Sequence, residues 1–374
     1  MIQLRPRYFD IWMLVTTLAL VGYGALLIYS ASLNSHPAGV NSLSHPVAKQ
    51  VAYIVLGLLV MIFVANIDYR LFGQIAPGLY AIGILMLASV LVIGNTEFGS
   101  RRWINFAGTQ IQPSEIAKLI TILALARFMA DRPLTMSRVS SFLATLGIVA
   151  LPIMLVLAEP DMGTAVIFGV AWIGMLLLSG ARLEHILIFL SFTVLMVPFV
   201  TLAVMDAYQR DRIAVFFNPN SDPLGSGYNI LQAEISIGSG GPFGKGLFGG
   251  TQTQLDFLHT PTTDYIFSVL GEELGLMGAL VLLALFTVLL FRGLRVAALA
   301  RDRFGQLLAT GIVIMILFQV FINIAVNIRL LPVTGIPLPF ISQGGSSLIT
   351  LFVALGLLQS IVIRHKRIDF GSGP

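Results

Sequence analysis

Among the residues of this chain that could do chemistry, Asp264 stands first. It closes the run Thr262-Thr263-Asp264, where a long polar stretch gives way to apolar sequence at Tyr265. A carboxylate at the mouth of a membrane helix can serve the helix itself, capping N–H groups and complementing the dipole. Partly desolvated, it can instead act as a general base that takes a proton from a hydroxyl group. Position alone leaves both readings open.

A second group is charged. Glu115 and Lys118 are spaced i,i+3 just after Gln112-Pro113 and share one helix face. They read either as an ion pair that neutralises itself near an interface or as the lining of a polar cavity that orients a substrate. Facing lipid would be too costly. Arg101, Arg102, Arg210, Arg212 and Lys245 have phosphate-binding potential, arginine as a bidentate fork and lysine as a point charge. Contact with lipid headgroups is the plainer role for any one of them. The runs Gly238-Ser-Gly-Gly241 and Gly244-Lys-Gly246 could offer backbone N–H groups to an anion, although tight turns suit most of these glycines. His45 and His259 are isolated and read as structural or solvated.

The chain holds no Asp-x-Asp pair, no His-Glu-x-x-His and no Gly-x-Ser-x-Gly. That argues against a soluble nucleotide-sugar donor and for a substrate already in the membrane. With no cysteine, thiolate catalysis and disulfides are excluded. No cofactor is implied. A divalent cation could neutralise a phosphate, but the sequence shows no dedicated cage for one.

The elements that must position these residues are membrane helices. The chain has 374 residues, of which 56% are hydrophobic and only 11% charged, and its mean hydropathy is +0.90. Soluble domains carry about 25% charged residues. Ten apolar segments are each long enough to span: 10–32, 47–66, 73–94, 113–131, 138–158, 162–180, 183–205, 264–291, 304–327 and 343–364. The first reads as an uncleaved helix. The whole chain, 1–374, reads as one all-α, polytopic integral-membrane domain, with one long structured loop, 207–263, between helices seven and eight.

An even number of spans puts both ends on one side. That set of loops and ends carries 14 Lys/Arg, including Arg5, Arg7, Lys366 and Arg367, against 8 on the other. Both termini are therefore expected in the cytoplasm, with Asp264 and the loop outside it. Polar density also gathers on the outer side at 99–118, at Glu159-Pro-Asp-Met-Gly-Thr164 and at 331–346, where prolines resist regular helix. The net charge of +4 follows from topology and needs no nucleic-acid partner.

Several runs now acquire a context. Asp222-Pro-Leu-Gly-Ser-Gly-Tyr-Asn-Ile-Leu-Gln232 comes first. Ile237-Gly-Ser-Gly-Gly241 with Gly244-Lys-Gly246 and Thr263-Asp-Tyr-Ile-Phe267 with Glu272-Glu-Leu-Gly275 follow in order. Arg102-Trp103, 112–118, Pro160-Asp-Met-Gly-Thr164 and 331–347 extend the match over nearly the whole chain. Together they resemble the SEDS family (shape, elongation, division and sporulation) of bacterial cell-wall proteins. The Gly-Lys-Gly and Asp-Pro-Leu-Gly forms look more like its RodA-type elongation branch than its division branch.

The resemblance implies a ten-helix peptidoglycan glycosyltransferase of the bacterial cytoplasmic membrane. Such an enzyme polymerises lipid II into a growing glycan strand, releasing undecaprenyl pyrophosphate, beside a class B penicillin-binding protein. It places the family's essential acid on Asp264, its charged helix-four pair on Glu115 and Lys118, and its Gly-Lys-Gly lysine on Lys245. The chain departs from the family pattern at Thr262, where a histidine is usual, at Gln343, where a tyrosine is usual, and at Arg329. The alternative from a different class is a lipid II flippase, which ten helices with intramembrane charges would also suit. The absence of internal repeats and the gathering of polar residues on one side weigh against it.

Overall fold

The computed structural model describes all residues except 1–8, 34–44, 98–99, 107–108, 204–206, 220–221, 223–224, 256, 259 and 366–374. His259, Pro223, Leu224, Arg5, Arg7, Lys366 and Arg367 therefore lie outside the described residues.

The helices are α1 (Ile11–Ser32), α2 (Pro46–Asn66), α3 (Tyr69–Ile93), α4 (Pro113–Ala130), α5 (Val139–Ala158), α6 (Met162–Ser179) and α7 (Leu183–Ala203), then α8 (Ala207–Phe217), α9 (Ser226–Gly240), α10 (Thr251–Gln254), α11 (Ile266–Leu299), α12 (Arg303–Asn327) and α13 (Gly345–Ile363). Eight of them, α1–α3, α5, α6 and α11–α13, are long and apolar enough to cross a membrane. The other two expected spans are also helical. α4 carries Glu115, Lys118 and Arg127 within its 18 residues, and α7 is apolar over 183–196. The chain is a multi-pass membrane protein.

Starts and stops follow local chemistry. Asp10, Asp161 and Asp302 accept the amides of Met13, Thr164 and Gly305, capping α1, α6 and α12. Pro46 and Pro113 occupy first turns, where a missing N–H costs nothing. α12 and α13 form the buried centre, whereas α2 and α3 bury little of their length. Leu59, Phe63, Leu85 and Val92 on that outer face are left for lipid.

Two features differ from the expected plan. Residues 95–111 form a small antiparallel sheet, β1 (Asn95–Glu97), β2 (Ser100–Phe106) and β3 (Thr109–Ile111), in the order β1-β2-β3. Three-residue strands give too short an alternation to read from sequence. The eighth span, expected at 264–291, runs instead from 266 to 299 and is broken at Gly275, whose φ is +62°. A Cβ there would lie 2.4 Å from the Gly244 amide nitrogen. The 241–246 turn is pressed into the break, with Leu276 N donating to Gly241 O and Gly246 N to Glu273 O. The first nine residues of α11 are thus a separate short helix under the long polar loop, which itself folds into α8, α9 and α10.

Candidate active site

Asp264 sits just ahead of this short helix. Its backbone is held from below and from the side. Asn327 Nδ2 and Asn323 Nδ2, from the end of α12, donate to the Asp264 carbonyl at 2.9 and 3.2 Å. Asn327 Oδ1 accepts the Ser268 hydroxyl and amide, so one side chain ties the acid to the first turn of its helix. The irregular 331–344 segment straps the preceding residues. Ser342 Oγ donates to Thr263 O at 2.6 Å, and the Gln343 amide to Thr262 O at 2.8 Å.

The carboxylate itself is not spent on capping. Tyr265 is the N-cap of α11, and the first-turn amide of Ser268 is taken by Asn327 and not by Asp264. Among the described residues the Asp264 side chain accepts no protein hydrogen bond. Part of its surface reaches solvent, but dense protein surrounds the carboxyl. Burial is accordingly the largest influence on its proton affinity and raises its pKa. Arg212 and then Arg102 pull it back down, and Asp161 adds to the rise.

Arg102 comes from β2. The alternation of the strand leaves Arg101 exposed and turns Arg102 inward. Its Nε donates to Glu159 O at 3.4 Å and its Nη2 to Pro160 O, in the turn between α5 and α6. Asp161 Oδ1 lies 3.8 Å from Nη1. A Cβ built on Gly335, φ +73°, would stand 3.5 Å from Arg102 Nη1 and 3.9 Å from Asp264 Oδ2. Both side chains therefore flank one glycine of the 331–344 segment. Arg212, half-buried on α8, reaches the same segment and donates to Val333 O at 3.0 Å.

The other expected residues are distributed differently. Arg210 is exposed on α8. Lys245 pairs at 2.8 Å with Glu272, which is fully buried on the short helix and also accepts from Thr251, Gln252 and Thr253. That set fastens the Gly-Lys-Gly turn to α11. Glu115 and Lys118 are bonded to each other at 2.7 Å, both nearly inaccessible, and neither is among the charges that act on Asp264. Arg329 meets Glu234 at 3.2 Å. His45 caps α2, as a structural histidine would. Among the described residues no group of three or more His, Cys, Asp or Glu gathers to hold a metal ion.

Sequence reading missed four neighbours. Asn323 and Asn327, i,i+4 in an apolar helix, were a signal for two amides on one buried face. Asp161, capping Thr164, and Glu159 two residues before it lie in a run whose polarity and family resemblance assign neither carboxyl a role.

Residues 11–367 match a family model described as "Cell cycle protein", which groups FtsW, RodA and SpoVE. The chain belongs to this family. It is 39% identical over 362 residues to "Peptidoglycan glycosyltransferase MrdB" of Escherichia coli (strain K12), covering 97% of this chain and 95% of that one. It is 38% identical over 361 residues to "Stage V sporulation protein E" of Bacillus subtilis (strain 168), covering 96% and 98%. Among solved structures, a chain from a peptidoglycan synthase complex that coordinates polymerization and crosslinking superposes with a TM-score of 0.81 at 30% identity, over 95% of this chain and 97% of that one. The rod shape determining protein RodA of Thermus thermophilus gives 0.69 at 28%, over 95% and 96%. The mostly helical, multi-pass fold agrees with these structures over nearly the whole chain.

Proposed function

We propose that this chain is a peptidoglycan glycosyltransferase that polymerises lipid II, with Asp264 as its general base. Both termini face the cytoplasm and the site opens on the opposite side, as the Lys/Arg bias favours. The acceptor sugar's 4-hydroxyl gives its proton to Asp264. Its oxygen attacks the anomeric carbon of the lipid-linked strand, the α-linked undecaprenyl pyrophosphate leaves with the bonding pair, and a β-1,4 bond forms. One displacement needs one base and no covalent carboxylate.

The observation that carries this reading is the state of Asp264. Its backbone is fixed through Asn327, while its carboxylate accepts no hydrogen bond among the described residues and feels the charge of two arginines. Arg102 and Arg212 suit the charge that grows on the departing pyrophosphate. Arg101 and Arg210, exposed nearby in sequence, suit the earlier approach of the anionic substrate. Lys245, Glu115 and Lys118 support the scaffold. The partner is a class B penicillin-binding protein, which would crosslink the strands made here.

The test is polymerisation of lipid II by purified protein in detergent, where there is no leaflet to cross. Wild type should form polymer, as a flippase would not. Asp264→Ala and Asp264→Asn should fold and form none. Full polymerisation by either folded variant would remove Asp264 from the role of base.

A further inference from the structure

We propose that Glu159 works as a neutral, proton-bearing acid, a positioning residue that leaves the Arg102 guanidinium turned toward Asp264. Ionised, it would claim that guanidinium for itself. The proposal rests on Asp264 being the base.

The geometry is specific. Glu159 closes α5 and is 1% exposed, and among the described residues neither carboxyl oxygen has a hydrogen-bond partner. A carboxylate in that position would be a buried anion without a single donor, which is far costlier than the neutral acid. Yet Arg102 is adjacent. It donates to the backbone carbonyls of Glu159 and Pro160 and not to the Glu159 carboxyl. Asp161, 3.8 Å from Arg102 Nη1, already accepts the Thr164 amide and hydroxyl. An ionised Glu159 with both oxygens unoccupied would instead offer the guanidinium a stronger, charge-assisted pair than carbonyl contacts. The arrangement seen is the one a protonated Glu159 permits.

The charges that bear on Glu159 are Asp161, on its own turn, and Arg102, from β2. The 331–344 segment, which packs Thr334 and Ile336 over Gly163, has no charged residue, and neither does the last turn of α5. Asp264 and Arg212 are not among the charges that act on Glu159. Burial first, then Asp161, lifts the Glu159 pKa to about 8, against the smaller opposing pull of Arg102. The group is therefore neutral at neutral pH, and above about 8 it releases its proton to solvent.

A merely structural glutamate would leave the pH profile alone. Polymerisation by wild type should fall about tenfold per unit above a pH of about 8. Glu159→Gln, neutral at every pH, should match the wild-type rate at pH 7 within about twofold and hold it to about pH 9. The acid limb, set by Asp264, should be the same in both. A folded but inactive Glu159→Gln protein, or one that keeps the wild-type alkaline limb, overturns the proposal without touching the base assignment. An acid limb that survives in an active Asp264→Asn protein strikes the base assignment instead. Should Glu159→Gln not fold, the infrared carbonyl stretch of labelled glutamic acid in wild type decides. A protonated band present at pH 7 and lost in step with activity supports the proposal, and its absence at pH 7 overturns it.

Discussion

Asn327 binds the carbonyl oxygen of Asp264 at 2.9 Å while its own carbonyl takes the Ser268 hydroxyl at 2.7 Å. One buried amide thus sets the acid's position from another helix. Asn327→Ala would remove these bonds and leave buried groups unsatisfied, costing about 1–3 kcal/mol of stability. A misplaced base costs more in rate than in folding, so kcat should fall about 100-fold with KM little changed. Steady-state kinetics on protein whose melting curve is intact would show this. A lower kcat/KM carried wholly by KM would contradict it.

Arg212 is the strongest charge opposing the rise in the Asp264 pKa. The base must be ionised, so activity is lost as pH falls through that pKa. Removing the cation raises the pKa further. Arg212→Gln should therefore move the acid limb of the rate profile upward by about one pH unit, and Arg212→Lys should leave it near the wild-type position. A limb unmoved in both variants would mean that Arg212 does not act on Asp264.

The same raised pKa has a thermodynamic cost. Burial makes the folded chain hold the Asp264 proton more tightly than the unfolded chain does. As pH rises past the ordinary carboxylate range, the unfolded state ionises first and stability declines. Asp264→Asn cannot ionise. It should melt above wild type near neutral pH and level with it below about pH 3. A lower Tm at neutral pH would contradict the assignment of desolvation as the dominant influence.

Glu115 and Lys118 neutralise each other at 2.7 Å in a nearly inaccessible place. Breaking such a pair from one side strands a buried charge. Glu115→Gln or Lys118→Met alone should cost about 3–5 kcal/mol, whereas the two together should recover most of it. Unfolding in detergent, read as a double-mutant cycle, measures the coupling. Additive losses would show that the two charges do not depend on each other.

Much of the architecture was legible because lipid makes hydropathy a strong constraint. The apolar stretches corresponding to α1–α7, α12 and α13 stand within a few residues of the expected positions. The break in the eighth span is the exception among the helices. The Gly275 break depends on the 241–246 turn arriving from elsewhere in the chain, and no local pattern encodes that meeting. Likewise, Asp264 and Arg102 could be named from their types and neighbours. That Arg102 and Arg212 would be the cations beside the acid, and that Lys245 would be taken by Glu272, depended on tertiary placement. Asn323 and Asn327 looked like ordinary residues at the end of a helix until the carbonyl they hold was visible.

The segment from Thr262 to Asp264 gives up all three of its backbone carbonyls to residues later in the chain: Gln343, Ser342 and the Asn323–Asn327 pair. Gly275 meanwhile uncouples the short helix before it from the long lipid-facing part of α11. Mechanically, then, Asp264 is a passenger of α12 and the 331–344 strap more than of the helix that follows it in sequence. A partner pressing on the lipid-exposed flank of α11 could tilt that helix and leave the acid where it stands. A displacement of α12 would carry the acid along.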